Sequence, residues 1–543
     1  MSTPPIGQDP TSAYSRHVAT RIKDFTTAKA PWSRRLWDIG TFLALDELHE
    51  AGAWVPRKVL AQAAVDWQRH AMERILGDDP AVGSPAFRRE LREVLQSSLT
   101  VASDGRRRLR YLIDTARPGY LARWASCVTT TDPPRPERVA RAVAAHLLDS
   151  GHSFAGLQRW IRDGREHLAA TDLISEAAAL LNQSPRTWKI TVPFRALQDY
   201  EKIATHLPNW VPAVDAVKAM ENARWDSSRQ QIIGALWYEI EARDAERAVE
   251  IAYDLVERLQ ARARFAATGT GVVPLGEVLI EDERVPLSRP GRRAQVLSLA
   301  AERRLYSIAQ DVQRFAEQAR SPIDDALEIA SGLNDGPLAP AVAGGWAALE
   351  SLLTEARDPD EREKVVAASR AAALVTCSWP RAELTALSYR VREATGTDLT
   401  QRLSACETNR ERAALIADEI QVHGYLPLDR SWRTPSDTAA VVRMKELLAN
   451  RRQVLGRVRF YVEVSLRRLY RSRNIVLHGG SIGGVALTAT LRVTAPLVGA
   501  ALDRITHAHI VDGTHPLILA AKAESALNLI DDELAPGLCD LIE

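Results

Sequence analysis

The sequence predicts a mainly α-helical protein of several domains, with a small α+β module in the middle of the chain. Over most of its 543 residues, apolar side chains recur every three or four positions, the period of a helix buried on one face. Between about 187 and 285 that period gives way to short β-branched and aromatic runs bounded by turn formers. The length itself exceeds what one ordinary hydrophobic core holds.

Residues 1–10 read as a flexible tail. From 12 to 128 the pattern is helical, as in RRLWDIGTFLALDELHEAG, so residues 1–130 form a helical N-terminal region. The proline-rich TTTDPPRPER (129–138) interrupts it, because proline disfavours helix. Helices resume with RVARAVAAHLLDSG, closed by Gly151 as a C-cap, and run on as a helical connector over 138–186. WKITVPFRAL (188–197), GALWYEIEA (234–242) and GVVPLGEVLI (271–280) read as strands. Asp244 stands at the cap position before the helix AERAVEIAYDLVERLQARARF. Together, 187–285 form the α+β module. From about 294 the helical pattern returns, giving a domain over 295–543 with breaks at GLNDGPLAPA (332–341) and YLPLDRSWRTPSD (425–437). A last long helix then spans about 438 to 477.

Composition excludes several classes. Seventy Lys and Arg against 69 Asp and Glu leave a net charge of +1, so the chain is no general polyanion coat. Any nucleic-acid site must come from local concentration of charge. Cys127, Cys377, Cys406 and Cys539 are far apart and form no CxxC pair, which suits a reducing cytosol. The N-terminal MSTPPIGQDPTSAY lacks the build of a signal peptide, and no uncharged apolar run approaches the roughly 18 residues that span a bilayer. The expectation is a cytoplasmic protein without a membrane partner.

Several motifs are weak. GTGVVPLG (269–276) has Pro274 where a dinucleotide fingerprint has glycine, and no GxxxxGK[ST] occurs, so it reads as a turn. His507, His509 and His515 invite a metal, but no carboxylate or cysteine stands at a telling interval; they read as a solvated loop, with no metal site expected. RRRLR (106–110) reads as a solvated helix face, with an accessory RNA contact as the alternative. Thirteen tryptophans, ten of them before residue 240, read as core rather than as base-stacking platforms.

LYRSRNIVLHGG (469–480) is different. Its Arg-x4-His spacing recurs at Arg141/His146, Arg162/His167 and Arg504/His509, so context must carry the argument. Between 451 and 473 stand eight arginines and one acid, Glu463, a local excess of about +7 that fits docking on a phosphate backbone, with Arg467, Arg468 and Arg471 as RNA contacts. The stripe Leu455, Val458, Val462, Leu466, Leu469 continues to Arg473, where the pattern asks for an apolar side chain. Asn474 and His478, four apart, share a helical face. Arg473 and His478, five apart, converge only through the length of arginine or through a last turn loosened by Gly479 and Gly480. A histidine that moves protons near neutral pH, an arginine that stabilises a phosphorane and an asparagine that orients the ring could cleave RNA without a metal. The 2′-hydroxyl would attack, leaving a 2′,3′-cyclic phosphate. One histidine cannot easily serve as both base and acid, so two copies facing each other fit the chemistry better.

RNIVLH within YRSRNIVLHGG resembles the Arg-Asn-x3-His signature of HEPN-domain ribonucleases, of the branch similar to the ApeA-like bacterial defence proteins. GGWAALESLL (344–353) is similar to the Trp-x-x-Leu-Glu helix that precedes the motif in that branch, and YEIEARDAERAVEIA (238–252) is a weaker echo of a segment upstream. The resemblance covers 295–543 well and 140–290 loosely. It implies a C-terminal HEPN-like helical bundle, often dimeric, with Arg473 and His478 catalytic, Asn474 beside them, and Glu350 in support, pairing with Arg473 across the bundle. It implies no cofactor, and RNA cleavage in antiviral defence or toxin-like growth arrest, with tRNA or another cellular or phage RNA as target. The N-terminal region would sense a phage or cellular trigger or restrain activity. A catalytically inactive HEPN-like module that binds RNA or protein is the alternative, and a purely structural helical scaffold a third.

Overall fold

The computed structural model describes residues 10–27, 30–197, 207–226, 230–265, 271–289, 294, 321–334, 336–355, 365–391, 398–428 and 435–543. The expected tail over 1–9, the helical reading over 295–320, Gly269 and Thr270 of the glycine-rich turn, and 429–434 of the expected break lie outside these residues. The described chain is mainly helical with one small antiparallel sheet. No helix among the described residues is long and apolar enough to cross a membrane.

The N-terminal helices are α1 (Pro10–Phe25), α2 (Thr41–Trp54), α3 (Gln62–Gly77), α4 (Pro85–Gln96), α5 (Asp104–Ala116), α6 (Tyr120–Cys127) and α7 (Pro136–Asp149). Then come α8 (Phe154–Arg162), α9 (Ala170–Asn182) and strands β1 (Arg186–Ala196) and β2 (Trp210–Pro212). They are followed by α10 (Ala213–Asn222), β3 (Gly234–Ala242), α11 (Ala245–Ala263), β4 (Val273–Pro274), β5 (Glu277–Ile280) and β6 (Glu283–Pro286). The rest is helical: α12 (Pro322–Ala330), α13 (Leu338–Leu353), α14 (Val366–Ser388), α15 (Asp398–Ala405) and α16 (Asn409–His423). It closes with α17 (Pro435–Ala449), α18 (Arg451–Gly479), α19 (Leu487–Asp512) and α20 (Pro516–Asn528). The single long helix expected from 438 to 477 is two, because Asn450 leaves the helical region at φ −140°, ψ 59°.

The chain forms two compact units, one of Met1–His146, Gly164–Ser175 and Arg292–Glu543, the other of Leu147–Asp163 and Glu176–Gly291. The second holds a sheet of order β2-β3-β1-β5-β6, with β4 also on β1. β1 and β3 pair antiparallel with Trp188 opposite Ile240 and Val192 opposite Leu236. Ile190, Val192, Phe194 and Val278 of the sheet are buried with Val249, Ala252 and Val256 of α11. Asp244 caps α11, accepting from the Arg247 N–H at 2.8 Å, and also accepts from the Ser153 hydroxyl at 2.6 Å.

In the first unit α13, α14, α18, α19 and α20 pack on one another around Trp346, Leu349, Leu374, Leu466, Leu469, Val493 and Leu497, all inaccessible to solvent. The N-terminal region and the C-terminal helices belong to this one compact unit. Buried charges join the two. Arg34 meets Glu383 at 2.5 Å, 349 residues away, and Asp437 at 2.8 Å; Arg443 meets Glu383 at 3.1 Å and Glu137 at 3.3 Å; Arg21 meets Glu137 at 2.7 Å. Burial pushes the Glu383 and Glu137 carboxyls up, and the arginines beside them more than reverse this, holding both below the ordinary carboxylate value. Each charge is costly to bury alone, and its partners lie 60 to 403 residues away, beyond any local pattern.

Candidate active site at the end of α18

Helix α18 runs unbroken through Arg473, Asn474 and His478 to Gly479, and ends where Gly480 turns into the left-handed region at φ 63°, its N–H donating to the Ile475 carbonyl. That conformation favours glycine. Gly479 answers a different need. A Cβ there would lie 3.0 Å from the Trp54 ring of α2, so the helix end and α2 approach closely only without a side chain.

Arg473 donates from Nη1 to Asn474 Oδ1 at 2.9 Å, and the same Nη1 lies 3.3 Å from His478 Nε2. The five-residue separation is bridged by the length of arginine while the last turn stays helical. Because a guanidinium only donates, this contact fixes Nε2 as the acceptor and leaves Nδ1 to carry the proton in the neutral ring. Asn474 is buried, Arg473 is partly exposed and His478 is exposed. The three residues therefore meet around one donor atom at a solvent-facing helix end.

Arg473 does not sit on the buried seam as expected, nor does it pair with Glu350. Glu350 lies on α13, partly exposed, and its carboxylate makes no ion pair among the described residues; α13 instead touches α18 through Trp346 and Tyr470, ring centroids 5.0 Å apart. The arginines that are buried are Arg468 and Arg471, 1% and 3% exposed. At about 100° per residue Arg471 stands opposite the Leu455 stripe and Arg468 about 120° from it, both off the apolar side and on positions the pattern marks as polar and solvated. Glu47 of α2 covers that face, accepting from Arg468 Nε at 2.9 Å and Arg471 Nη2 at 2.7 Å. Burial pushes the Glu47 carboxyl up, and Arg471 and Arg468 pull it further down, leaving it below its ordinary value. Neither guanidinium is presented to a phosphate backbone. Arg467 is only partly buried, paired with Glu463 at 2.8 Å and lying over the Trp67 ring at 4.3 Å.

The remaining basic excess of α18 is also largely compensated. Arg457 meets Glu446 at 2.9 Å, Arg452 meets Asp531 at 3.7 Å and Arg459 meets Glu524 at 4.0 Å. Of the eight arginines, Arg473 and Arg451 alone have no carboxylate within 4 Å among the described residues. Arg473 is bonded instead to an amide and an imidazole.

His507 and His509 lie on α19 rather than in a loop, and His515 caps α20, its Nδ1 accepting from the Leu517 N–H at 3.3 Å. Among the described residues no three His, Cys, Asp or Glu side chains gather as a metal-ligand set.

Alongside the helix end, α2 and α5 wall an open cleft of about 560 Å³ that the motif reading missed. Its lining includes Trp54, Arg57, Arg106 and Val485; Glu50 reaches from it to the Val485 N–H at 3.2 Å. Arg106 belongs to the RRRLR run and Trp54 to the tryptophan set, and nothing in the spacing of the two along the chain signals that they meet. No protein-family model, no curated protein and no solved structure matches this chain.

Proposed function

We propose that the protein is a metal-independent endoribonuclease of HEPN type, cutting cellular or phage RNA in antiviral defence or toxin-like growth arrest. The observation that supports it is the Arg473 guanidinium held between Asn474 Oδ1 and His478 Nε2 at an exposed helix end, with no carboxylate within 4 Å among the described residues. A free guanidinium with fixed donors binds a phosphate, and its charge grows in value as the phosphorane forms. His478 Nε2, already an acceptor, is suited to take the 2′-hydroxyl proton. The 2′-oxygen then bonds to phosphorus, the bond from phosphorus to the 5′-oxygen breaks, and that oxygen takes a proton from a general acid. A second copy of the chain would supply that acid as its own His478. Leu477, Ile482 and Val485, more than half exposed around the helix end, offer the apolar surface on which it would pack.

His478→Ala and Arg473→Ala should each abolish cleavage, with parent-like far-UV circular dichroism. RNA from bacteria expressing the parent should carry new 2′,3′-cyclic phosphate ends that are missing with either variant. Undiminished cleavage by either variant would refute the proposal. RNA binding without cleavage by the parent, surviving His478→Ala, would instead favour the inactive binding module.

A further inference from the structure

We propose that the cleft beside α18 binds the nucleotide next to the scissile phosphate of a single-stranded RNA, its base stacked on Trp54 and its phosphate on Arg106. This rests on the ribonuclease reading of Arg473 and His478 and assigns that site its neighbouring subsite.

Position comes first. Trp54 packs against Gly479, the residue after His478, and Glu50 binds the backbone at Val485, so cleft and helix end share a wall. A volume of about 560 Å³ suits one nucleotide.

Charge comes second. Two of the cleft's arginines are neutralised in place: Arg110 meets Asp46 at 2.9 Å and Asp114 at 2.8 Å, and Arg117 meets Asp46. Arg57 and Arg106 have no carboxylate within 4 Å among the described residues. Arg106 donates one N–H to the His49 carbonyl and keeps its other donors. With Arg473 they make three guanidiniums outside any direct ion pair near one helix end, Arg106 feeling the more distant charge of Glu50.

The third observation selects a base over other anions. Trp54 is one of several partly exposed tryptophans, and among the described residues it is the one that lines this cleft. Its indole Nε1 has no hydrogen-bond partner, and the exposed Arg57 guanidinium lies over its ring at 5.1 Å. Exposed aromatic rings and arginine guanidinium planes are the surfaces on which proteins stack unpaired bases. An acidic peptide would use the arginines but gain little from the ring.

The test measures binding of a fluorescein-labelled single-stranded hexaribonucleotide by anisotropy in the cleavage-blocked His478→Ala protein, and cleavage in the parent background. Trp54→Ala and Arg106→Gln should each weaken binding about tenfold or more, and Trp54→Phe should restore most of it. Arg106→Gln should lower the salt slope of binding by about one. In the parent background both variants should raise KM more than they lower kcat. If both bind and cut as the parent does, the subsite proposal fails while the ribonuclease reading stands. If the parent never cuts but the hexamer binds through Trp54 and Arg106, the cleft holds RNA and the cleavage reading fails. Binding that depends on Arg106 but not on Trp54, and is displaced equally well by an acidic peptide, overturns the base-stacking assignment.

Discussion

Glu47 shows how much one side chain holds at the residue scale. It is the acceptor for two inaccessible guanidiniums, and its removal leaves both charges buried without a partner. Glu47→Ala should therefore destabilise the first unit by about 3–5 kcal/mol, read from urea unfolding. Arg467→Ala, which removes a partly exposed pair with Glu463, should cost about 1 kcal/mol or less by the same measurement. Equal losses from the two would contradict the burial argument. Glu47 carried no signal in the sequence, because its neighbours LDELHE read as one more amphipathic turn. The Arg473, Asn474 and His478 set was legible, because all three lie within six consecutive residues and helix geometry alone brings them near one another.

At the scale of the element, α18 carries two kinds of information. Its existence and its glycine-marked end follow from periodicity and from the left-handed turn that Gly480 permits. Gly480→Ala should cost about 1 kcal/mol through the φ of 63° alone, with the thermal midpoint falling by a few degrees; an unchanged midpoint would show that the cap contributes nothing. The faces of α18 were less legible. A stripe of apolar residues identifies one buried side, but a helix packed by neighbours on several sides also buries polar positions, and only those neighbours show which. Helix α11 is the contrasting case: Asp244 was read as its cap from sequence and accepts the Arg247 N–H, since capping is a contact three residues long.

For the molecule as a whole, buried ionisable groups set the response to acid. Burial between Tyr120 and Phe42, with Arg117 and Arg123 adding to it, pushes the His146 pKa down to about 3. The unfolded chain binds that proton near pH 6.5, so between about 6.5 and 3 unfolding takes up a proton and stability falls as the pH drops, by up to about 1.4 kcal/mol per pH unit. Glu383 and Glu137 act lower: their folded values are depressed, so their contribution is present above the ordinary carboxylate range and is lost as pH falls through it. Urea midpoints should therefore decline from pH 7 to 5 through His146, with the more exposed His49, pushed down to about 4 by burial and Arg106, acting in the same direction, and steepen below about 4.5. His146→Phe should lessen the slope of the first part; a parent midpoint independent of pH between 7 and 5 would count against this. The shared ion network also predicts that residues 295–543 expressed alone fold poorly, since Arg34, Glu47 and Glu137 would be missing. A fragment with the sharp thermal transition of the parent would refute this.

By itself the sequence determined the mainly helical character, the strands read at 188–197 and 234–242, the Asp244 cap and the residues that meet at the end of α18. These rest on periods, caps and spacings of a few residues, which local backbone geometry converts directly into structure. The tertiary structure alone decided that 1–146 and 292–543 are one unit, that Arg468 and Arg471 are buried on Glu47, that the basic excess of α18 is largely compensated, and that Trp54 and Arg106 wall a cleft beside His478. Each of these depends on partners tens to hundreds of residues apart. Coulomb and packing energies depend on distance in space, which the order of residues along the chain does not give.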